Sequence, residues 1–311
     1  MKRFVTLLFI LLLAAAMLVL PGCAKKQEEE QSPKVIPPNE IKEPQVGLFI
    51  EKVNPVAVVI NNHPEARPQS GLQHATIVYE FLAEGGITRL LAIFDTTTDV
   101  VIGPIRSLRP YFAVQAIEHG GIIAHSGYSD RTKDIIKSLR IREITSSTYL
   151  SRDSSRKAPH NLYTSIYKLY QARGESPVTK ITPNPPNMPP SEGVGTTIEV
   201  NYSSANKVSY QYNEAKETYL RFVNGKPHTD RETKKQCSIR RVILRKNVHT
   251  NVSGTNLVNI DLAGSGQATL YELGNKYEIR WQKSNGTTSY TFSNGTPVDF
   301  TLGNTWIQVV R

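Results

Sequence analysis

Cysteine is nearly absent: Cys23 and Cys237 are the only two in 311 residues. That excludes a disulfide-rich scaffold, an iron–sulfur centre and any zinc cluster built on thiolates. The diagnostic catalytic spacings are missing as well. There is no G-x-S-x-G, no H-E-x-x-H and no paired H-x-H, so neither a nucleophile elbow nor a zinc-protease helix is written in the chain. No stretch resembles a base-reading motif, and no repeat recurs at a fixed period. Acidic residues are the scarcer charge, 27 against 37 Lys and Arg, which gives a formal +10. What is present, 39% hydrophobic and 21% charged residues, is enough to bury real cores over a length that suits two domains.

Long apolar runs are confined to one place. Lys2 and Arg3 precede the stretch Phe4 to Leu20, interrupted only by Thr6, and Leu20-Pro21-Gly22-Cys23 follows. A basic start, an apolar middle and a small residue before cysteine describe a bacterial lipoprotein signal peptide over 1–22, with Cys23 as the lipidated residue. The alternative is a transmembrane anchor, for which about 17 residues is the short limit. On the lipoprotein reading the protein is lipid-anchored on the extracytoplasmic face of the cell membrane. Cys237 is then a lone thiol, and loss of Lys2 and Arg3 lowers the formal charge from +10 to +8.

Residues 23–46 change composition to KKQEEEQSPK and VIPPNEIKEP, without apolar periodicity. Pro37, Pro38 and Pro44 favour extended chain, so a disordered tether is expected. Prolines crowd again between Pro177 and Pro190, too densely for a helix or a central strand. A linker over 181–196 is therefore expected between two domains, 47–180 and 197–311. The fold class is α+β: an N-terminal mixed α/β domain and a C-terminal β-rich domain. In the first, PVAVVI reads as a buried strand, and Ala75–Leu82 with Ile87–Asp95 as a hairpin closing at Ala83-Glu84-Gly85-Gly86. Ser107, Ser129 and Thr164 are placed to cap three helices. In the second, strand-like runs alternate with Asn224-Gly225, Asn285-Gly286 and Asn294-Gly295, which favour hairpin turns.

Residues 201–311 carry 15 Lys and Arg against 8 Asp and Glu. Seven of these cations, Arg231, Lys234, Lys235, Arg240, Arg241, Arg245 and Lys246, lie within sixteen residues. They suit either a solvated edge strand or attraction to an anionic polymer.

Several polar residues exceed what folding needs. Asn62, His63 and Arg67 sit in a proline-stiffened loop after the first strand, where mixed α/β folds hold ligands. Glu80 and Arg89 interrupt apolar strands and could be cross-strand partners, because a lone buried charge is costly. Glu84, at the hairpin tip, is freer for chemistry. Arg106 and Arg109 flank Ser107 at an expected helix start, where cations oppose the helix dipole unless an anion is held there. His125 and Ser126 end a strand, and Asp153, Arg156 and His160 lie in a polar stretch before the last helix. A Ser126–His160–Asp153 triad and a metal site on His63, His125, His160 and a carboxylate are both combinable, but neither has diagnostic spacing.

At these residues the chain resembles the YerB-type family of bacterial lipoproteins. The resemblance is carried by NNHPEARPQSGL, IVYEFLAEGGITRLLAIF, IGPIRS, IAHSGYS, RDSSRKAPHNLY and NGTPVDFTLGNTWIQVV. Together they span almost all of the chain after the leader. The family pattern often has an acid where this chain has Asn61, which speaks against a catalytic carboxylate at that position. The resemblance implies an N-terminal α/β domain and a C-terminal β-rich domain, both of unknown function, with no activity to carry over.

Two functions follow as expectations. In the first, the protein binds an anionic cell-envelope polymer or an envelope protein, not nucleic acid, through Asn62, His63, Arg67, Arg89, Arg106, Ser107, Arg109, His125, Ser126, Arg156 and His160. In the second, it hydrolyses cell-wall peptide or glycan, with Glu80 or Glu84 as general acid or base assisted by His125, Asp153 and His160. Neither expectation includes a cofactor or a metal.

Overall fold

A computed structural model describes residues 54–175, 188–300 and 303–311, all within one compact unit, Gly47–Arg311. The apolar leader, Cys23, the tether and the start of the expected linker lie outside the described residues. Among the described residues, no helix is long and apolar enough to cross a membrane.

The first segment contributes strands β1 (Val56–Asn61), β2 (Ile77–Leu82), β3 (Thr88–Phe94), β4 (Ile122–Ala124) and β5 (Arg142–Ile144). Its helices are α1 (Pro110–Ala116), α2 (Asp130–Ser138) and α3 (Ile166–Arg173). The second segment supplies β6 (Thr197–Ser203), β7 (Asn206–Asn213), β8 (Thr218–Val223), β9 (Arg241–Lys246), β10 (Ser265–Glu272), β11 (Asn275–Ser284), β12 (Thr287–Phe292) and β13 (Thr305–Val310). Asn224-Gly225 and Asn285-Gly286 each place two consecutive residues at positive φ, which a type I′ hairpin turn requires.

The two segments share a sheet. Its order is β12-β11-β10-β9-β13-β2-β3-β1-β4-β5, with the short strand Gly193–Val194 beside β11. The last strand, β13, lies parallel between β9 and β2, so it joins the segments by backbone hydrogen bonds. The segments keep the expected characters, mixed α/β and β-rich. That they are fused through β13 is not expressed in either one's local pattern.

Alternation along each strand feeds two cores. Val56, Val58, Ile60, Val78 and Trp306 face a smaller sheet, β6-β7-β8, and helix α3. Ala57, Val59, Tyr79, Phe81 and Ile307 face α1 and α2. A sheet covered on both sides explains why β1 and β3 are buried throughout.

Two caps differ from expectation. Helix α1 starts at Pro110 with the extended Arg109 as its N-cap, and Ser107 lies ahead of it, outside the helix. Helix α3 is capped by Ser165, whose hydroxyl accepts from the Lys168 N–H, rather than by Thr164, which belongs to a strand. Pro110 sets the first start, since proline fits the first helical position.

Candidate functional site

The expected Glu80–Arg89 pair does not form. Across the β2–β3 hairpin Glu80 opposes Leu90, and Arg89 opposes Phe81. That one-residue offset sends the two charges to opposite faces of the sheet.

On one face, Glu80 is fully buried and pairs with Arg221 of β8, Oε2 to Nη2 2.7 Å, itself fully buried. Glu80 Oε1 accepts from Thr88 Oγ1 (2.6 Å) and Asn62 Nδ2 (3.2 Å). Arg221 Nε donates to His228 Nδ1 (2.9 Å), which leaves His228 Nε2–H to donate to Gln69 Oε1 (2.6 Å). Gln69 Nε2 then returns to Asn62 Oδ1 (2.9 Å) and the Asn61 carbonyl (3.0 Å). The guanidinium lies 4.5 Å from the Trp306 ring centre. Burial opposes the Arg221 charge, but Glu80 outweighs it and the Arg221 pKa is raised. Burial first, then the charges of Arg221 and Arg67, push His228 well below its ordinary value.

This ring of side chains is closed on itself and fastens the two segments. Asn62 and Arg67, expected as ligand-binding groups, belong to it: Arg67 Nε donates to Asn62 Oδ1 (3.1 Å) and Nη2 to the Asn62 carbonyl (2.8 Å). Glu80 is likewise engaged as an ion-pair partner rather than placed as a proton donor. Arg221, His228 and Gln69 were missed in the sequence. A signal for Arg221 existed, because it stands between Tyr219 and Val223 on the inward stripe of β8.

On the other face, Glu84 accepts from Arg89 Nη2 (3.0 Å) and from Arg109 Nε. Burial raises the Glu84 pKa, yet Arg89 and Arg109 outweigh it and the carboxyl stays below its usual range. Burial and then Arg109, partly offset by Glu84, lower Arg89 to about 10. Arg89 Nη1 also donates to the Ser107 carbonyl (2.6 Å). Arg89 and Arg109 are therefore both engaged by Glu84, whose single charge offsets one of the two. The anion cradle expected around Ser107 is not assembled from them, and α1 begins three residues later, at Pro110.

The remaining candidates gather where β1, β4 and β5, mutually parallel, end at their carboxyl sides. A cleft of about 530 Å³ there is lined by His125, Ser126, Gly127, Thr145, Ser147 and Arg152, among others. Arg106 adjoins it through the backbone: the Ser126 N–H donates to the Arg106 carbonyl (3.1 Å), and the neighbouring Ile105 N–H donates to Leu162 O (2.7 Å). Among the described residues, no hydrogen bond or ion pair engages the Arg106 guanidinium. His125 is buried, with Nε2 2.9 Å from Glu143 Oε1 and Nδ1 3.3 Å from the Gly127 carbonyl. Arg156 braces the loop after β1, donating to the carbonyls of Ala66 (2.9 Å) and Arg67 (3.1 Å).

Beside Arg106, His63 and His160 stack with ring centres 4.8 Å apart, and Glu65 joins them. Asn61 Oδ1 accepts from the His63 N–H (3.1 Å), so its amide nitrogen donates to His160 Nδ1 (2.9 Å). The Glu65 N–H donates to His63 Nδ1 (3.2 Å). Both δ lone pairs are thus used, and each neutral ring carries its proton on Nε2. His160 Nε2 meets Glu65 Oε2 at 3.2 Å. Three potential ligand atoms lie together, but as N–H donors the rings do not suit a metal. Burial, then the charges of His63, Arg106 and Arg156, partly countered by Glu65, lower the His160 pKa.

The triad is not formed. The imidazole of His160 is engaged by Asn61 and Glu65. Asp153 accepts instead from Ser155 and from Arg231 (2.5 Å), which hold its pKa down to about 2. Nor do the seven clustered cations form one patch. Arg241 and Arg245 are buried, Arg241 lies 2.9 Å from Glu272, and Arg240 pairs with Glu217 (3.0 Å). Lys234, Lys235 and Lys246 are exposed.

Residues 43–179 match the N-terminal domain, and residues 198–307 the C-terminal domain, of a protein of unknown function, DUF3048. The chain belongs to the DUF3048 family. A curated relative from Bacillus subtilis (strain 168), YerB, which is named as a lipoprotein, is 34% identical over 288 residues, covering 87% of this chain and 86% of that protein. The crystal structure of YerB from Bacillus subtilis has a TM-score of 0.72 and 35% identity, covering 83% of this chain and 91% of that one. Family membership confirms the YerB-type resemblance and its two segments, and brings no activity with it.

Proposed function

We propose that the protein is a lipoprotein anchored through Cys23 on the extracytoplasmic face of the membrane, and that its cleft holds an anionic cell-envelope ligand. The anchor rests on the basic and apolar leader ending at Cys23, and on YerB being named as a lipoprotein. The cleft's role rests on one observation. Arg89 and Arg109 share the Glu84 carboxylate and Arg231 has that of Asp153, whereas Arg106 has none among the described residues. A half-buried guanidinium without a carboxylate partner is ready for an oxyanion. His125 and Ser126 line the cleft, and the charge of Arg106 acts on His160.

Retention of the purified protein on isolated cell wall at low salt tests the reading. A charge-assisted hydrogen bond contributes about 1.5–3 kcal/mol, so Arg106→Ala should weaken retention by about 10- to 100-fold. Arg109→Ala, which removes a cation already ion-paired to Glu84, should weaken it far less. Unchanged retention of Arg106→Ala would overturn the proposal.

A further inference from the structure

Arg67 stands at the outer edge of the Glu80–Arg221 ring and carries a charge that the ring does not balance. It is half-buried, and its guanidinium donates twice to Asn62, from Nε to Oδ1 and from Nη2 to the carbonyl. Both bonds leave from one edge, so the fork made by Nη1 and the outer N–H of Nη2 is free among the described residues. The carboxylate whose charge reaches Arg67, Glu80, is already paired with Arg221. Two guanidinium groups thus share one carboxylate, and His228 beside them is held neutral by burial and by both arginines. Burial lowers the Arg67 pKa, Glu80 opposes that, and Arg221 adds to it. A cation left in surplus at a half-buried position favours the arrival of an anion.

Arg67 borders a cavity of about 370 Å³ between the loop after β1 and the turn after β8. Its charge acts on His228, which lines the same cavity. Pro64, Pro68, Pro227 and Val223 supply an apolar wall, Lys226 brings a second cation, and no aspartate or glutamate lines it. Among the described residues Lys226 has no ion pair. The cavity shares no lining residue with the cleft at the ends of β1, β4 and β5.

Both walls are fastened from behind. Arg156 donates to the carbonyls of Ala66 (2.9 Å) and Arg67 (3.1 Å). The Asn224 side chain accepts from the Lys207 N–H (2.8 Å) and donates to the Ala205 carbonyl (2.9 Å). A cavity already formed loses little on ordering when a ligand enters, and its volume falls in the range of roughly 300–1,000 Å³ that small-ligand sites occupy. The free end of a guanidinium matches the two oxygens of a carboxylate. Proline rings and a valine beside it cover an apolar group, which an inorganic anion lacks.

We propose that this cavity binds an organic carboxylate bearing a compact apolar group, with its two oxygens on the free fork of Arg67, Lys226 as the second cation, and the apolar group against the prolines. This site is separate from the cleft and does not depend on it.

The test is a ligand-detected NMR titration of the full-length protein. Benzoate is the probe, benzamide its neutral isostere, and acetate and inorganic phosphate are anions without an apolar group. Benzoate should bind at least about tenfold more tightly than each of the other three. Arg67→Gln should weaken benzoate by at least about tenfold and leave benzamide unchanged. Lys226→Glu alters an exposed position outside the buried ring, so it keeps the melting temperature and serves even where Arg67→Gln loosens the fold. It should weaken benzoate by about fivefold through repulsion. A benzoate affinity matched by any of the other probes, or unchanged in either variant, overturns the assignment. Loss of benzoate binding in Arg106→Ala but not in Arg67→Gln overturns it too, because the carboxylate would then sit at Arg106.

Discussion

Glu80→Gln tests whether one buried ion pair fastens the two segments. Both partners are fully buried and 2.7 Å apart, and the amide keeps the shape of the carboxylate while removing its charge. Arg221 then remains in the core without a neutralising group, which costs about 3–5 kcal/mol. Domains of this kind are stable by about 5–15 kcal/mol in total. At about 2–4 °C per kcal/mol for a chain of this size, the melting temperature should fall by about 6–20 °C. Circular dichroism on heating, with urea unfolding as a second measure, reads this directly. Because β13 is shared, both segments should melt in a single transition before and after the change. Replacing both partners, Glu80→Met with Arg221→Met, removes the uncompensated charge and should return most of the loss. A loss below about 1 kcal/mol for Glu80→Gln, the level of an exposed pair, or two separate transitions, would refute the argument.

Other outcomes follow from the same interior. His119 is desolvated, and burial lowers its pKa from 6.5 to about 4 despite Glu118 and Asp95. The folded state favours the neutral ring, so its contribution is fully present above pH 6.5 and is lost as pH falls toward about 4. His119→Gln should flatten that part of the urea-midpoint profile, by at most about 3 kcal/mol. Cys237 is buried and its thiol is pushed up to about 12, so mass spectrometry should find it unalkylated in the native protein and fully alkylated in denaturant. Lys234→Ala with Lys235→Ala should change stability by less than about 0.5 kcal/mol. Arg241→Ala should cost about 3–5 kcal/mol, because it strips Glu272 of a buried partner, and the same urea assay separates the two.

Much of the fold was legible because it is local. The β2–β3 hairpin, the two Asn-Gly turns and the start of α2 after Ser129 all follow from residues a few positions apart. The candidate site was legible only as a set of loops. His63, Arg106, Ser126 and His160 do converge at one end of the sheet, since each lies at or near the end of an element. Their partners were not readable. Glu80 was correctly read as a buried charge in need of a partner, but the nearest candidate, Arg89, is on the wrong face. The true partner, Arg221, stands 141 residues away.

The same limit applied to the basic run 231–246. Counting charges suggested a polymer-binding patch, yet period-two alternation puts Arg241 and Arg245 inside the protein, while Arg231 and Arg240 each meet a carboxylate. Cleft and network are told apart by whether a cation has found its anion.

The sequence by itself determined the secondary structure of most segments, the mixed and β-rich characters of the two halves, and family membership, because propensity, alternation and turn chemistry act between near neighbours. Only the tertiary structure decided that β13 joins the halves in one sheet, which charges pair, and that Arg106 has no carboxylate among the described residues. Those are outcomes of register and distance, where a shift of one residue along a strand moves a charge from one face of the sheet to the other.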